Sequence, residues 1–274
     1  YPAGNDKMKS PAELAGKYLS LTPQVAGKKA VPGVQLSLGL KSENPEAYLI
    51  TVDKKGIRIQ GASESGVFYG VQTLRKSVME EKGDTIRLPY ATVSDEPRFG
   101  YRGTMLDCAR HFFPVSFVKE FIDILALHGV NRFHWHLTDD QGWRFEVKSL
   151  PELAVKGSVR PYTVVGKNIG VDNAAGAIYD DTPETGYYTQ EEMKEIVRYA
   201  EERFITIVPE IDLPGHMIAA LSVYPELGCT GGPYNVWCRW GIAQDVLCAG
   251  NPKTLDFLHK VMDEVCEVFP GKLI

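Results

Sequence analysis

The sequence contains no apolar run of the roughly 18 residues that a membrane-spanning helix needs, so no membrane span is expected. Lysine and arginine form no cluster or stripe. With 30 basic against 35 acidic residues the net charge is −5, which lacks the electrostatic footprint of a nucleic-acid partner. Cysteine is scarce, five in 274 residues, and no CxxC pair occurs, so a zinc knuckle is not expected. Three of the five, Cys229, Cys238 and Cys248, fall in one glycine-rich loop. There they are either free thiols or the material for a disulfide in an oxidising compartment. The first residues, Tyr1 to Asp6, lack the basic and apolar regions of a signal peptide, which is therefore absent or already removed.

What is present is globular composition, 44% hydrophobic and 24% charged, enough to bury a sizeable core. Residues 1–97 read as an α+β layer. Ser10 to Leu19 has helical character, with Ser10 as N-cap and Pro11 at the first helical position. Strands are expected at Val34–Leu38, Ala47–Val52 and Gly56–Gln60, with a hairpin-type turn at Asp53–Gly56. Ser65 to Met79 places Val67, Val71, Leu74 and Val78 at helical spacing. The polar, proline-punctuated Ser94–Pro97 marks a domain boundary, giving domains 1–97 and 98–274.

From Arg98 the rhythm becomes strand, helix, strand, helix. Strands are expected at Gly103–Leu106, Arg132–Leu137 and Phe204–Val208, and a fourth begins at Lys272–Ile274. Helices are expected from Val115 to His128, closed by Gly129; from Thr189 to Arg203, opened by a Thr189/Glu192 capping box; and from Pro252 to Phe269. This order means parallel βαβ units, either a doubly wound sheet or a (β/α)8 barrel. No glycine-rich phosphate loop follows the first strand, which removes support for a nucleotide-binding version. Three βα units and a strand are less than half a barrel, so the sequence implies a piece of a longer chain or a partner covering the open edges.

Polar side chains gather after the strands, where both architectures place their sites. His134 and His136 point one way from their strand and Trp135 the other. Asp139, Asp140, Gln141, Trp143 and Arg144 follow. Carboxylates and an amide suit sugar hydroxyls, and an indole suits the apolar face of a sugar ring; the bland reading is a loop with a structural ion pair. Glu210, Asp212 and His216 follow the third strand and are placed to converge on the Asp139 loop, where a carboxylate fixes a histidine's tautomer. Arg102 and Asp107 bracket the first strand. Arg102 serves either a structural salt bridge or a carboxylate or sugar hydroxyls.

Three motifs in this order and spacing, RGTMLDCARHFFP from Arg102, NRFHWHLTDDQGWR from Asn131 and PEIDLPGH from Pro209, resemble glycoside hydrolase family 20. GASESGVFYGVQTL from Gly61 resembles the end of that family's non-catalytic N-terminal domain. The likeness covers roughly residues 35–274. It implies an α/β fold: an N-terminal α+β domain, then the first three βα units and the start of the fourth strand of a (β/α)8 barrel. It also implies exo-β-N-acetylhexosaminidase activity, removing terminal, non-reducing β-linked GlcNAc or GalNAc. The mechanism it implies is substrate-assisted, with the acetamido oxygen attacking C1, and so departs from the two-carboxylate scheme.

Residue by residue, the resemblance gives Asp139 and His216 as a catalytic support pair behind an acid, and Arg102 as a ligand of the terminal sugar. It places the family's Asp-Glu acid pair after the fourth strand, beyond Ile274. No cofactor and no metal are implied. The implied partner is an oligosaccharide or glycoconjugate ending in N-acetylhexosamine, and the implied location is secreted or periplasmic. Two other classes stand beside this one. One is a non-catalytic carbohydrate-binding chain. The other is a metal-dependent barrel hydrolase using His134 and His136 with Asp139 or His216.

Overall fold

The computed structural model describes residues 6–24, 33–78, 88–166 and 177–274. Met79, the expected end of the second helix, and Tyr1 to Asn5 lie outside the described residues. The fold is mixed α/β, an N-terminal sheet region followed by a partial, barrel-like region. The chain forms two compact units. One comprises Tyr1–Gly103 with Glu120–Arg132 and Tyr199–Ile205; the other comprises Thr104–Lys119, Phe133–Arg198 and Thr206–Ile274.

In the first unit, helix α1 (Lys9–Leu19) follows a 3-10 turn, Asp6–Met8. Ser10 therefore lies inside the helix instead of capping it, and its hydroxyl donates to the Glu202 carbonyl at 3.3 Å. Strands β1 (Val34–Leu38), β2 (Tyr48–Asp53) and β3 (Gly56–Gly61) fall where alternation and the Asp53–Gly56 turn put them. Helix α2 (Glu64–Val78) buries Val67, Phe68, Val71 and Leu74. It lies close to the sheet because Gly66 and Gly70 have no side chain: a Cβ there would meet the Ala47 carbonyl at 2.3 Å and Ile59 Cγ2 at 2.5 Å.

A further strand, β4 (Ala91–Asp95), was not expected, and it takes up Ser94 and Asp95 of the segment read as a domain boundary. All five of its residues are exposed, so no apolar alternation marks it; antiparallel pairing with β2 defines it. The Tyr48 hydroxyl donates to the Asp95 carboxylate at 2.8 Å across that pair. The sheet order is β1-β3-β2-β4; β1 and β3 pair in parallel, and β2 pairs antiparallel with both β3 and β4.

Strand β5 (Gly103–Asp107), helix α3 (Val115–Leu127) and strand β6 (Arg132–Asp139) follow. Gly129, at φ +70°, ends α3 in the left-handed conformation that glycine adopts without strain. β6 runs two residues beyond expectation and turns through Asp140 and Gln141 into the short β7 (Gly142–Trp143). Asp139 is thus the last residue of a strand, not part of a loop after it. Next come α4 (Glu152–Gly157) and α5 (Gln190–Glu201). The latter is capped as expected: the Glu192 amide donates to Thr189 Oγ1 at 3.2 Å and the Thr189 amide to Glu192 Oε2 at 2.8 Å.

Strand β8 (Thr206–Ile211) ends later than expected, which places Glu210 on the strand. Helices α6 (Ile218–Leu221) and α7 (Pro252–Val268) follow, α7 with Asn251 as its N-cap. Lys272–Ile274 does not form a strand. β6 lies at the centre of the second sheet, paired with β5, β7 and β8. Trp135 on β6 is fully buried. It packs against Phe133, Tyr188 and Phe269 and donates its indole N–H to Cys108 Sγ at 3.1 Å. No described helix is long and apolar enough to cross a membrane.

Arg102 has structural surroundings, contrary to its assignment to the sugar. Its guanidinium meets Glu46 at 2.7 and 3.2 Å, the Gly129 carbonyl at 2.6 Å and the Phe99 carbonyl at 2.6 Å. Asn131 Oδ1 accepts its amide. Both members of the Arg102–Glu46 pair are largely buried. Removing one member of such a pair leaves the other charge uncompensated. Arg102→Ala is expected to lower unfolding stability by about 2–4 kcal/mol in urea denaturation; a loss under about 0.5 kcal/mol, the scale of ordinary surface changes, would contradict the structural role.

Candidate active site

The site residues stand at the C-terminal ends of β5, β6 and β8 and on the segments that follow. Asp107 ends β5, and its Oδ1 accepts the amides of Ala109 and Arg110, both at 3.0 Å. That turn sends Arg110 back over the strand end. Its guanidinium reaches Asp107 at 2.8 Å, Asp139 at 2.5 Å, Gln141 at 3.1 Å and the His136 ring at 3.0 Å. Arg102 precedes β5 and Arg110 follows it, so the strand's direction separates the two arginines. Sequence reasoning missed Arg110, although its position three residues after the strand end was the available signal.

Asp139 is the hub. Its side chain is fully buried, and both oxygens are taken. Oδ1 accepts the Asp140 amide at 2.7 Å and faces His216 Nδ1 at 3.0 Å. Oδ2 faces Arg110 at 2.5 Å and His136 Nε2 at 3.0 Å. Burial alone raises a carboxyl pKa; here the His136 bond, the Arg110 charge and the remaining donors outweigh it and hold Asp139 below its ordinary value. An ionised carboxylate only accepts. His216 Nδ1 therefore carries a proton and donates it to Asp139. His216 sits at φ +54°, a backbone region uncommon for a residue with a side chain.

Asp140 lies beside this pair, also fully buried. Burial raises its pKa; the amides of Ile218 and Ala243 offset part of that rise, and the Asp139 charge adds to it. Asp212 is likewise raised, by burial first and by the Asp139 and Glu210 charges, against the lowering influence of His216. Its amide donates to Thr138 Oγ1 at 3.1 Å. On the other side of the hub, one oxygen of Glu210 meets both β6 histidines, His134 Nε2 at 2.5 Å and His136 Nδ1 at 2.6 Å. The expected same-face placement of the two rings is what lets one carboxylate hold both. Burial pushes His136 down, but its bonds to Asp139 and Glu210 outweigh this and hold it above its ordinary value.

Arg144, the other cation of the β6 motif, is fully buried and structural. It donates to the carbonyls of Cys108, Ala109, Ser158 and Gly186, and burial lowers its pKa to about 10. Arg160 ties the Gln141 and Arg110 carbonyls together at 3.0 and 2.7 Å. These two arginines set the segments that carry Arg110 and the β6–β7 turn. The far wall comes from residues 237–243: the Trp237 amide donates to the Asp140 carbonyl at 2.9 Å, and Gln141 donates to the Arg239 carbonyl at 3.0 Å.

Among the described residues two groups have ligand atoms close enough to hold a cation: His136, Glu210 and Asp212, and Asp139, Asp140 and His216. His134 belongs to neither, so the His134–His136 metal pair weighed from sequence does not match either group. In both groups the histidine nitrogens already face carboxylates as hydrogen-bond partners.

Comparison with known proteins bears on this arrangement. The family model described as "Glycosyl hydrolase family 20, catalytic domain" matches residues 99–274, and "Glycosyl hydrolase family 20, domain 2" matches residues 4–96. A beta-hexosaminidase of Porphyromonas gingivalis is 40% identical over 272 residues, covering 97% of this chain and 32% of that protein. One from Vibrio furnissii is 43% identical over 231 residues, covering 83% of this chain and 36% of its own length. Among solved structures, a mutant Streptomyces plicatus beta-hexosaminidase in complex with product (GlcNAc) superposes with a TM-score of 0.83 at 32% identity, over 98% of this chain and 52% of that one. The chain thus spans about a third of the length of those two relatives and about half of that structure.

The raised pKa of His136 has a consequence for stability. A group that binds its proton more tightly when folded contributes stability that is complete below its unfolded value, here 6.5, and lost as pH rises through the folded value. The His136 imidazole is expected to titrate with a midpoint above 6.5 by NMR, and unfolding free energy is expected to fall with pH through that window. A midpoint at or below 6.5 would contradict the paired geometry.

Proposed function

The chain belongs to glycosyl hydrolase family 20, and on that membership and the Asp139–His216 geometry we propose that it is part of an exo-β-N-acetylhexosaminidase. The proposed substrate is an oligosaccharide or glycoconjugate with a terminal, non-reducing β-linked GlcNAc or GalNAc. The proposed setting is outside the cytoplasm, where such glycans are found, and the proposed complete architecture is a (β/α)8 barrel. The observation that carries this reading is the buried, saturated Asp139 carboxylate holding His216 by Nδ1 at 3.0 Å.

This chain's residues have distinct tasks in that reaction. Asp139 fixes the tautomer and the ring orientation of His216. His216 then presents Nε2 as an acceptor toward the general acid, which the resemblance places after the fourth strand. A histidine so held stabilises the acid's proton before transfer to the leaving oxygen and takes part in its return when water attacks. Arg110, at the strand ends and 35% exposed at its side chain, is proposed as the cation that meets sugar hydroxyls, the task assigned from sequence to Arg102. Its planar donor fork suits vicinal oxygens. The substrate's own acetamido oxygen supplies the nucleophile, so no second enzyme carboxylate is required at C1.

The test uses the protein that contains this chain in full, with p-nitrophenyl N-acetyl-β-glucosaminide as substrate. Hydrolysis is expected, with inhibition by a thiazoline analogue of the oxazoline intermediate and no effect of EDTA. Asp139→Asn is expected to lower kcat by about 10²–10⁴-fold, the range of general acid–base assistance, while Arg110→Ala raises KM as well. Full activity in the Asp139→Asn variant, or loss of activity with stoichiometric metal on EDTA treatment, would overturn the reading, the second result in favour of metal-dependent hydrolysis.

A further inference from the structure

Three polar residues of the site have no assigned task in the reaction: His134, His136 and Glu210. Phe133, Trp135 and Leu137 of β6 are fully buried, so the alternation of the strand turns His134 and His136 to the opposite face. On β8, which pairs with β6, Ile207, Pro209 and Ile211 are buried, and Glu210 lies between the last two on the face that meets the rings. One oxygen, Oε2, stands 2.5 Å from His134 Nε2 and 2.6 Å from His136 Nδ1. Burial raises the Glu210 carboxyl, but the two histidines outweigh this and hold it below its ordinary value. An ionised carboxylate only accepts, so His136 Nδ1 donates to it. The bland reading of such a contact is an exposed ion pair of little consequence. His136 does not fit that reading, because its side chain is only 5% exposed.

With Nδ1 committed to Glu210, the other side of the ring is aimed. Nε2 stands 3.0 Å from Asp139 Oδ2 and 3.0 Å from Arg110 Nη1. It has a partner in either protonation state: protonated it donates to Asp139, unprotonated it accepts from Arg110. Glu210 therefore points His136 at the same place in both. The two oxygens of a carboxylate turn together, so what restrains Oδ2 of Asp139 also restrains Oδ1, the atom that faces His216 at 3.0 Å. Arg110 is less dependent on His136. It keeps Asp107, Asp139 and Gln141 as partners whatever that ring does.

We infer that Glu210 is a positioning residue for the hydrolysis: through His136 it holds Asp139 in the orientation that presents His216 to the general acid. The inference rests on the reading of the chain as part of a β-N-acetylhexosaminidase. The effect travels along Glu210, His136, Asp139 and His216, four side chains joined by contacts of 2.6, 3.0 and 3.0 Å. Loss of the Glu210 charge loosens the hub without removing it, so the rate falls less than when Asp139 itself is replaced. Once Asp139 is replaced, Glu210 has nothing left to hold in place, and the two losses do not add. Sugar affinity changes little, because Arg110 keeps its other partners.

The experiment is a double-mutant cycle on the protein that contains this chain in full, assayed with p-nitrophenyl N-acetyl-β-glucosaminide. Glu210→Gln keeps the side-chain shape and removes the charge. It is expected to lower kcat about 10–100-fold, the scale of one charge-assisted hydrogen bond, with KM changed by less than about threefold. In the Asp139→Asn background the same substitution is expected to lower kcat by less than about twofold. In the unmodified protein, ¹H–¹⁵N correlation of the histidine side chains should show a proton on His136 Nδ1. Glu210→Gln at wild-type kcat would overturn the inference. So would an equal fold-loss in both backgrounds, which is what a general structural defect gives. A His136 ring without a proton on Nδ1 would overturn it as well, whether or not the variant folds. A parent protein with no hexosaminidase activity, or a fully active Asp139→Asn variant, would instead overturn the hexosaminidase reading and with it the reaction that Glu210 serves.

Discussion

One buried carboxylate organises the site. Asp139 has no access to solvent, and an ionised carboxylate without partners is not tolerated there. Its four contacts come from four directions: the next amide in the chain, Arg110 after β5, His136 on β6 and His216 after β8. Each of those groups is held by its partnership with Asp139. Loss of the carboxylate would leave a buried histidine and an arginine facing each other with no charge between them. The same saturation places a proton on His216 Nδ1, so an electrostatic requirement of folding sets the orientation of the His216 ring.

The surrounding structure serves that hub. β6 reaches Asp139 because the strand continues past Leu137 and folds back through Asp140 and Gln141 into β7. The turn is fixed by Arg144 and Arg160, whose fully or largely buried guanidinium groups bond main-chain carbonyls. Glu210 holds His134 and His136 together and thereby presents His136 Nε2 to Asp139. Pairs of titratable groups are pushed in opposite directions within this small volume: Asp139 and Glu210 down, Asp140 and Asp212 up. Such separation is the mark of sites that handle protons.

Much of this was legible in the sequence wherever local chemistry decides structure. The Thr189/Glu192 cap, the Gly129 stop and the Asp53–Gly56 hairpin were read from a few neighbouring residues. So was the same-face placement of His134 and His136, and the convergence of His216 on Asp139 follows from their places at and beyond the ends of neighbouring strands of one sheet. What escaped depends on tertiary pairing. β4 has no buried residue to mark it, and the ends of β6 and β8 are extended by partners that a window of sequence does not contain. Arg102 was singled out beside the first strand, and Arg110, three residues past its end, was not. Only strand direction separates them, and Glu46, which claims Arg102, lies 56 residues away in sequence.

The protonation pattern of His216 is read by NMR without reference to catalysis. Long-range ¹H–¹⁵N correlation of the histidine side chains at neutral pH should show His216 protonated on Nδ1, with Nε2 as the unprotonated nitrogen. Asp139→Asn should disturb that pattern. A His216 signal with its proton on Nε2, unchanged by Asp139→Asn, would contradict the claim that the buried carboxylate sets the ring.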